Sequence, residues 1–435
     1  MPRLPPHVDD RTAGVSTTIF KNAAVLDTET CRLTRGQTVV VRGGRIARIG
    51  SDGPDDDGPG GAPSDGDGEA AVIDCGGRTL MPGLIDAHVH INTTEYTTLE
   101  NVVLPNSLVA ARAVGTMNAM LMRGFTTVRD MGGADTGYIR AVDEGTIVGP
   151  DLMICGKMLC QTGGHQDVRL KWDWQDPAFL RGRLGAKARL CDGVPEVRHA
   201  AREELRAGAQ FIKIIANGGL AAHGTPLSHL AFSEEEIAAI VEEAGDADTY
   251  VAAHAYTDKA VERCVRLGVK SIEHCFFVSP RTADMMAEKG VTAVPTLAVV
   301  ELRRNRPGAT PEEADKAARL LDEIDRGLAV LKAAGVAMAY GTDLTHASVH
   351  AHQSREFLYR LRGESSADVL RSATIVGAKL VKRAHEIGNV FEGARANLLV
   401  VDGNPAEDVA LLADPGRIGV IVKAGAVVKN MLPVG

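Results

Sequence analysis

From residue 82 onward, short apolar runs alternate with longer segments whose apolar positions repeat at helical spacing. Several of the short runs are apolar at consecutive positions, as strands buried on both faces of a parallel sheet are. Eight runs alternating with helices predict an α/β protein built on a (β/α)8 TIM barrel. A Rossmann fold is the other α/β arrangement, but no G-x-G-x-x-G opens a helix after the first run. The runs lie at 84–90, 125–130, 152–157, 211–216, 250–255, 271–275, 291–296 and 337–343.

The helical segments between these runs have recognisable ends. The segment at 233–244 opens with Ser233 and Glu236, the spacing of a capping box. Both ends of the chain instead alternate like β-strands, at 16–50, 70–80 and 388–435. We therefore expect one small β-sandwich domain built from both chain ends beside the barrel. The expected boundaries are 1–81 and 387–435 for the sandwich and 82–386 for the barrel.

Composition is that of a globular chain of 435 residues, of which 45% are hydrophobic and 24% charged. The length exceeds the roughly 250–300 residues that one hydrophobic core supports, which agrees with a second domain. Net charge is −8, and seven acids lie in a Gly/Pro/Asp-rich stretch, 52–69, which has no Lys or Arg and is expected to be a flexible loop. No dense basic cluster indicates a nucleic-acid partner. No apolar run approaches the ~20 residues that span a membrane.

The seven cysteines include no C-x-x-C pair, which argues against a disulfide framework and against a cysteine-type zinc site. Such cysteine usage fits a reducing compartment. The first residues, MPRLPPHVDD, have no apolar segment of a secretory signal. We therefore expect a cytoplasmic protein.

Ionisable side chains stand at or near the ends of several predicted barrel strands. His88 and His90 end the first strand, and residues i and i+2 of a strand point to the same face. A single histidine in a strand is usually a satisfied core residue. A lysine in an apolar strand, however, is costly unless it is paired or bound. Because the C-terminal strand ends of such a barrel form its active site, we predict a metal site of His88, His90, Lys213, His254, His274 and Asp343.

With these residues and their order, the chain resembles the amidohydrolase superfamily over about residues 17–430. The segments that carry the resemblance are MPGLIDAHVH (81–90), TTVRD (126–130), SIEHC (271–275), GTD (341–343) and IGNVFEGARANLLVVDGNP (387–405). A finer resemblance is to imidazolonepropionase-like enzymes, Xaa-Pro dipeptidases and Arg/Lys carboxypeptidases. It is carried by QTGGHQD (161–167) and KIIANGG (213–219).

The resemblance implies a site for two zinc ions, or for one if Lys213 stays unmodified. Lys213 would be carboxylated, because an ammonium repels two dications whereas a carbamate offers an oxygen to each. The first metal would be held by His88, His90 and Asp343, and the second by His254 and His274. A hydroxide between the metals would attack an amide carbonyl, and Asp343 would pass its proton to the leaving nitrogen.

Further residues match positions that contact substrate in the peptidase-like branch. His165, in the loop after strand 3, and Tyr256 would stabilise the oxyanion or bind a carboxylate. Arg129 and Asp130 are expected to form a structural ion pair. The loops after strands 4 and 8 supply additional substrate candidates, His223, His229, His346 and His352.

The leading hypothesis is a metal-dependent amidohydrolase of small molecules, namely dipeptides or N-acyl amino acids. The alternative is hydrolysis of carbamates, thiocarbamates or phenylureas, including N-substituted xenobiotics. These substrates need no cation for a free carboxylate, and no single Arg at a strand end indicates such a cation. A deaminase is disfavoured because Lys213 is present and the segment HAYTDKAVE has no Glu at the usual spacing. A non-catalytic scaffold would usually have lost ligands, and all six are retained. A homo-oligomer is expected.

Overall fold

The strands and helices follow from a computed structural model that describes residues 17–51, 70–170, 172–219, 225–304 and 310–433. The acidic stretch 52–69 and His223 lie outside the described residues. The strands are β1 Thr17–Asp27, β2 Arg32–Arg42, β3 Arg45–Ser51, β4 Ala70–Asp74, β5 Thr79–Pro82, β6 Leu84–Val89, β7 Phe125–Asp130, β8 Asp151–Ile154, β9 Met158–Cys160, β10 Ala188–Leu190, β11 Ile212–Ile215, β12 Val251–Thr257, β13 Ser271–Phe277, β14 Thr292–Val294, β15 Leu398–Val401, β16 Ile418–Lys423 and β17 Ala426–Asn430.

The helices lie mainly between the strands of the central part of the chain. They are α1 Thr98–Val103, α2 Asn106–Met122, α3 Thr136–Asp143, α4 Val194–Arg206, α5 Glu234–Asp246, α6 Asp258–Arg266, α7 Pro280–Glu288, α8 Leu297–Arg304, α9 Pro311–Ala333, α10 Ala347–His350, α11 Glu356–Arg360, α12 Ser366–Arg371 and α13 Gly377–Leu380. The predicted capping box opens α5, where the Ser233 hydroxyl accepts from the Glu236 N–H and the Glu236 carboxylate accepts from the Ser233 N–H. None of the described helices is both long and apolar enough to pass through a membrane.

Strands from both chain ends join in one eight-stranded sheet. Its order is β17-β16-β15-β5-β1-β2-β3, with β4 also paired to β1. The two chain ends meet where β5 pairs antiparallel with β15, with Pro82 opposite Leu398. The tight β2–β3 connection uses Gly43 and Gly44, whose φ angles of 57° and 77° suit the mirror-image turns that hairpins favour. The two-layer sandwich and the domain boundaries stay predictions, since the strands form a single hydrogen-bonded sheet.

The two faces of this sheet are buried against different partners. Leu398 and Val400 of β15 pack into a core formed within the sheet, whereas Leu399 and Val401 pack into a core that includes Phe125 of β7. Alternate residues of a strand point to opposite faces, so one apolar strand serves both cores. The sheet is thereby attached to the strands that carry the predicted site.

The central part of the chain forms two arcs of parallel strands. One arc has the order β6-β7-β8 and the other β10-β9-β11-β12-β13-β14. The expectation of an α/β protein with buried parallel strands is confirmed. At one seam between the arcs, the Gln210 N–H donates to Ile154 O (2.8 Å) and the Ile154 N–H donates to Gln210 Oε1 (3.0 Å).

The last predicted run, 337–343, differs from a regular strand. Its only ladder contact among the described residues is a single bridge between Met338 and Ala293. Two features redirect the backbone. The Tyr340 N–H donates to Ser372 O, and Asp343 has a left-handed φ of 52°. The run still lies beside β6, because the Asp343 N–H donates to His88 O at 2.8 Å. It therefore occupies the second seam without forming a strand.

Asp151, the first residue of β8, anchors the C-terminal segment to the parallel arc. Its carboxylate contacts Lys423, Arg395 (3.2 Å), Asn397 (3.2 Å) and Arg383 (3.6 Å). Burial by itself would raise the pKa of Asp151, but Lys423 and Arg395 hold that pKa below its usual value. A folded-state pKa below the unfolded one stabilises the protein at neutral pH. That contribution is lost as the pH falls from about 4 through the lowered pKa.

We predict that Asp151→Asn lowers the free energy of unfolding by about 3 kcal/mol at pH 7, because it leaves buried cations without their counterion. The measurement is the thermal unfolding midpoint at pH 7 and pH 4. The control is Asp402→Asn, whose exposed partner Arg417 lies 3.3 Å away and whose loss should cost less than about 1 kcal/mol. Equal shifts for the two variants would contradict the anchoring role.

Candidate active site

The predicted metal ligands that lie within the described residues surround one cavity. His88 lies near the end of β6 and His90 follows it, while Lys213, His254 and His274 come from β11, β12 and β13. Asp343 reaches the same place from the seam beside β6. The cavity is lined by His88, His90, Met158, His165, Gln166, Lys187, Lys213, Ile215, His254, Tyr256, His274, Val299, Arg303, Asp343 and Thr345.

Two groups of ligand-type atoms converge within this cavity. His88 Nε2 and His90 Nε2 lie 3.4 Å and 3.2 Å from Asp343 Oδ1. His254 Nδ1 lies 3.0 Å from His274 Nε2. Two ligand atoms of one tetrahedral zinc ion with bonds near 2.1 Å are about 3.3 Å apart. The spacing therefore fits metal coordination, and one atom each from His88, His274 and Asp343 lie within 4.8 Å of one another.

The opposite ring nitrogen of each histidine is held by an outer partner. His88 Nδ1 donates to Glu273 (2.8 Å), His90 Nδ1 to Gly132 O (3.3 Å) and His254 Nε2 to Gly218 O (3.2 Å). His274 Nδ1 pairs with the Thr296 hydroxyl at 2.7 Å. Because carboxylates and carbonyls only accept, the outward nitrogen of the first three rings carries a proton, and in the neutral form of each ring the nitrogen that faces the cavity has none. Outer partners of this kind fix the tautomer that a metal requires.

Glu273 was not among the predicted site residues, yet it links the site to the strands beneath it. Its carboxylate accepts from Arg129 (2.9 Å) and from the Ser271 hydroxyl (2.6 Å) as well as from His88. Burial would raise its pKa, but Arg129 and Lys213 hold the pKa at about 2. Arg129 thus pairs with Glu273, which corrects the expected pair with Asp130. Asp130 instead accepts from backbone N–H groups of the loops beside it.

Strand alternation is broken at His274, and this explains how Glu273 and His274 both reach the site. His274 and Cys275 have φ angles of 76° and 58°, in the left-handed region. A regular strand would put consecutive side chains on opposite faces. Here Glu273 contacts His88 while His274 contacts His254. Cys275 packs in the apolar core, as expected.

Lys213 is buried at 2% exposure, and its ammonium has no hydrogen bond or ion pair with the described residues. Burial lowers the pKa of Lys213 to about 8, against the attraction of Glu273 and Asp343. A lowered pKa increases the fraction of the amine that is neutral at a given pH, and the neutral form is the one that can react with carbon dioxide. The site therefore fits a carboxylated lysine at this position.

His165 and Tyr256 lie against the histidine cluster. His165 stacks on His254 with ring centroids 4.7 Å apart, and its buried Nδ1 has no hydrogen-bond partner among the described residues. Tyr256 stacks on His274 at 4.5 Å. Burial raises the pKa of Tyr256 far above its usual value, so the phenol keeps its proton.

The remaining described substrate candidates lie outside this cavity. His229 is exposed and lines a neighbouring cavity with Gln161 and Asn217. His346 stacks on Tyr96 at 4.0 Å, and its Nδ1 pairs with Ser348. His352 is partly exposed at the start of a 3-10 turn. Their roles toward substrate stay predictions.

Two cations that sequence reasoning missed also line the cavity. Lys187 lies directly before β10, and Arg303 lies near the end of α8. Neither stands at the end of a long apolar strand, so the strand-end pattern gave no signal for them. The loop that precedes β10 folds back over β9, since the Met158 N–H donates to Lys187 O at 3.0 Å.

A sequence model of the Amidohydrolase family matches residues 79–428, most of the chain. The chain belongs to the amidohydrolase family. It is 32% identical over 369 residues to the ochratoxinase of Aspergillus niger, covering 81% of this chain and 76% of that protein. It is also similar to the crystal structure of an amidohydrolase, with 42% identity, a TM-score of 0.90 and coverage of 96% of this chain and 100% of that one. A prolidase crystallised with N-methylphosphonate-L-proline is 41% identical, with a TM-score of 0.90 and coverage of 95% and 100%.

The predicted resemblance is thereby confirmed, and this amidohydrolase is a hydrolase that acts on C–N bonds. The family is metal-dependent and combines a TIM barrel with a second domain. Both properties agree with the histidine and aspartate cluster at the ends of parallel strands.

We predict that Glu273→Gln weakens zinc binding about 10- to 100-fold. A glutamine can turn its NH2 toward His88 Nδ1, which would then accept, so that the proton moves to the nitrogen facing Asp343. The measurement is competition with a chromophoric zinc chelator. The control is Glu243→Gln, because Glu243 is equally charged and buried but pairs with Arg198 and Arg202 away from the site. Unchanged zinc affinity in Glu273→Gln would refute the tautomer argument.

Proposed function

We propose that this amidohydrolase uses metal ions to hydrolyse the amide bond of dipeptides or N-acyl amino acids. The observation that supports it most directly is the pairing of ligand-type atoms at 3.0–3.4 Å, with each histidine held from behind. The similarity to an ochratoxinase and to a prolidase supports the substrate class. The fold alone would not support a substrate class, since TIM barrels catalyse many different reactions.

Two zinc ions are the proposed cofactors, because imidazole and carboxylate are ligands that zinc accepts. Such ions, when bound, polarise a carbonyl and lower the pKa of water toward 7. A carboxylated Lys213 would be a further ligand and would add negative charge to the site. One ion would be held by His88, His90 and Asp343, and the other by His254 and His274.

Asp343 is the proposed proton carrier. Burial would raise its pKa, but His88 and His90 hold that pKa well below the usual range, so the side chain is a carboxylate at neutral pH. It can therefore accept the proton of the attacking water and return it to the leaving nitrogen. Its exposure of 18% is consistent with access to a substrate in the cavity.

Tyr256 and His165 are proposed to act on the substrate carbonyl. The Tyr256 phenol stays protonated and can donate a hydrogen bond to the oxygen on which negative charge develops. His165 is uncharged, since burial lowers its pKa well below the usual value, and its unpartnered Nδ1 can serve the same oxygen or a nearby substrate atom.

We further propose that the parallel strands form a closed eight-stranded barrel and that the sheet built from both chain ends is the second domain. The bonds of Gln210 at one seam and of the run 337–343 at the other support closure. A closed barrel would hold the six ligands on a rigid frame. Catalysis requires that such groups keep their positions to within a fraction of an ångström.

Hydrolysis of carbamates, thiocarbamates or phenylureas remains the alternative, because the same ligands and the same aspartate would serve it. The alternatives differ in the group that follows the scissile nitrogen. A dipeptide or N-acyl amino acid presents a carboxylate there, whereas a phenylurea presents an uncharged ring.

The test is elemental analysis of the purified protein followed by turnover of two panels, one of dipeptides and N-acyl amino acids and one of carbamates and phenylureas. We expect about two zinc ions per chain and turnover of the first panel. Asp343→Asn is the control, and its kcat should fall at least about 100-fold while the fold is retained. One metal with turnover of the second panel alone would favour the alternative, and full activity of Asp343→Asn would exclude the proposed proton carrier.

Lys213→Ala tests the carbamate. We expect a lower zinc content and loss of most activity, because the variant lacks the carbamate that would help to hold the ions. Added acetate or propionate should restore part of the activity by supplying a carboxylate in the vacated space. The control is the same concentration of sodium chloride, and the wild type should not respond to either salt. Lack of any rescue together with unchanged zinc content would contradict a bridging Lys213.

A further inference from the structure

Lys187 belongs to no predicted strand, yet it is buried and lines the cavity of the candidate active site. Only 7% of the residue is exposed, and its side chain lines the same cavity as Asp343 and Lys213. Its backbone is fixed, because the Met158 N–H donates to its carbonyl and the next residue, Ala188, pairs with Met158 in the β9–β10 ladder. The ammonium is therefore carried into the cavity by a segment with a defined position.

The Lys187 ammonium has no hydrogen bond or ion pair with the residues that the structure describes. Lys213 of the ligand set shares this property, but two other enclosed lysines have such partners. Lys423 pairs with Asp151, and the Lys157 ammonium donates to Arg183 O (2.8 Å) and Ala186 O (2.6 Å). A buried cation without a partner is costly, so the presence of Lys187 here indicates that a bound ligand supplies the anion.

Asp343 lines the same cavity but makes no ion pair with Lys187, and its carboxylate contacts His88 and His90 instead. A cation here would repel metal ions in the same cavity unless a negative group lay between them. The arrangement thus favours a ligand whose carboxylate stands between Lys187 and the ligand set.

A second cavity adjoins the first and shares four of its lining residues, His165, Lys187, Arg303 and Thr345. Arg303 donates to the Thr345 hydroxyl at 3.4 Å. Beyond this junction, the cavity is lined by apolar and charged residues, among them Tyr96, Leu99, Leu170, Glu100, Asp167 and Arg169. The two cations therefore stand at the boundary between the ligand set and a chamber with a mixed apolar and charged lining.

We propose that Lys187, assisted by Arg303, binds the free carboxylate of the amino acid that leaves, and thereby restricts this enzyme to amides with such a carboxylate. The inference rests on the proposed function. In an N-acyl amino acid the carboxylate is separated from the scissile carbonyl by only the nitrogen and Cα, and consecutive Cα atoms are about 3.8 Å apart. A carboxylate-binding group must therefore line the same cavity as the ligands, as Lys187 does. The side chain of the leaving amino acid would enter the adjoining chamber.

The experiment uses the N-acyl amino acid that the wild type hydrolyses fastest and the same amide with its carboxylate replaced by hydrogen. We expect the wild type to prefer the carboxylate substrate about 100-fold in kcat/KM. Lys187→Met should reduce this preference to a few-fold, mainly through KM, while Lys187→Arg should retain much of it. Lys429→Met is the matched control and should keep the wild-type preference, because Lys429 lies in β17, donates to Pro415 O at 3.0 Å and does not line either cavity.

Product inhibition gives a second measurement that needs no variant. The leaving amino acid should inhibit the wild type at least about tenfold more strongly than the corresponding amine without its carboxylate. Equal inhibition, or a preference that survives in a folded, zinc-containing Lys187→Met, would overturn the role of Lys187 while leaving the amidase function intact. A wild type that hydrolyses neither amide would overturn the proposed function, and the inference with it.

Discussion

The candidate site depends on one buried carboxylate, that of Glu273. It has no exposed surface, and its charge is tolerated because Arg129 contacts one oxygen and His88 the other, at 2.9 Å and 2.8 Å. Arg129 also donates to Ala87 O in β6. One ion pair thus connects β6, β7 and β13 and sets which nitrogen of His88 faces Asp343. Removing either partner would leave a buried charge, a cost of several kcal/mol, so these strands are held in a fixed relation.

Much of the site could be predicted because strand position and side-chain direction are linked by a simple period. His88 and His90 share a face for that reason, and Lys213 is conspicuous because charge is rare in an apolar strand. Glu273 could not be found by the same rule. The rule assigns consecutive residues to opposite faces, and only the left-handed φ of His274 brings both side chains to the site. A histidine followed by a cysteine does not predict a left-handed backbone conformation.

The fold was predictable wherever local apolar runs pair with their immediate neighbours in the sheet. It was not predictable where a distant residue supplies the partner. The run 337–343 is bonded to Ser372 as well as to β6, and the expected third strand ends at Ile154 because the chain turns at Gly156. A side chain at Gly156 would meet Glu204, another contact distant in sequence. The position of Lys187 was not predictable for the same reason, since it depends on a loop that folds over β9.

The electrostatics of the cavity connect these observations. The four histidines add no negative charge, so one aspartate leaves the cavity short of negative charge once divalent ions enter, and Lys187 and Arg303 increase that deficit. A carbamate on Lys213 would offset part of the deficit from within the protein. The remainder would fall to the substrate, whose carboxylate would gain from cations that are already positioned and largely shielded from water. Fixed charges of this kind need no rearrangement when the ligand arrives, so their interaction is available for binding and orientation rather than being spent on reorganisation.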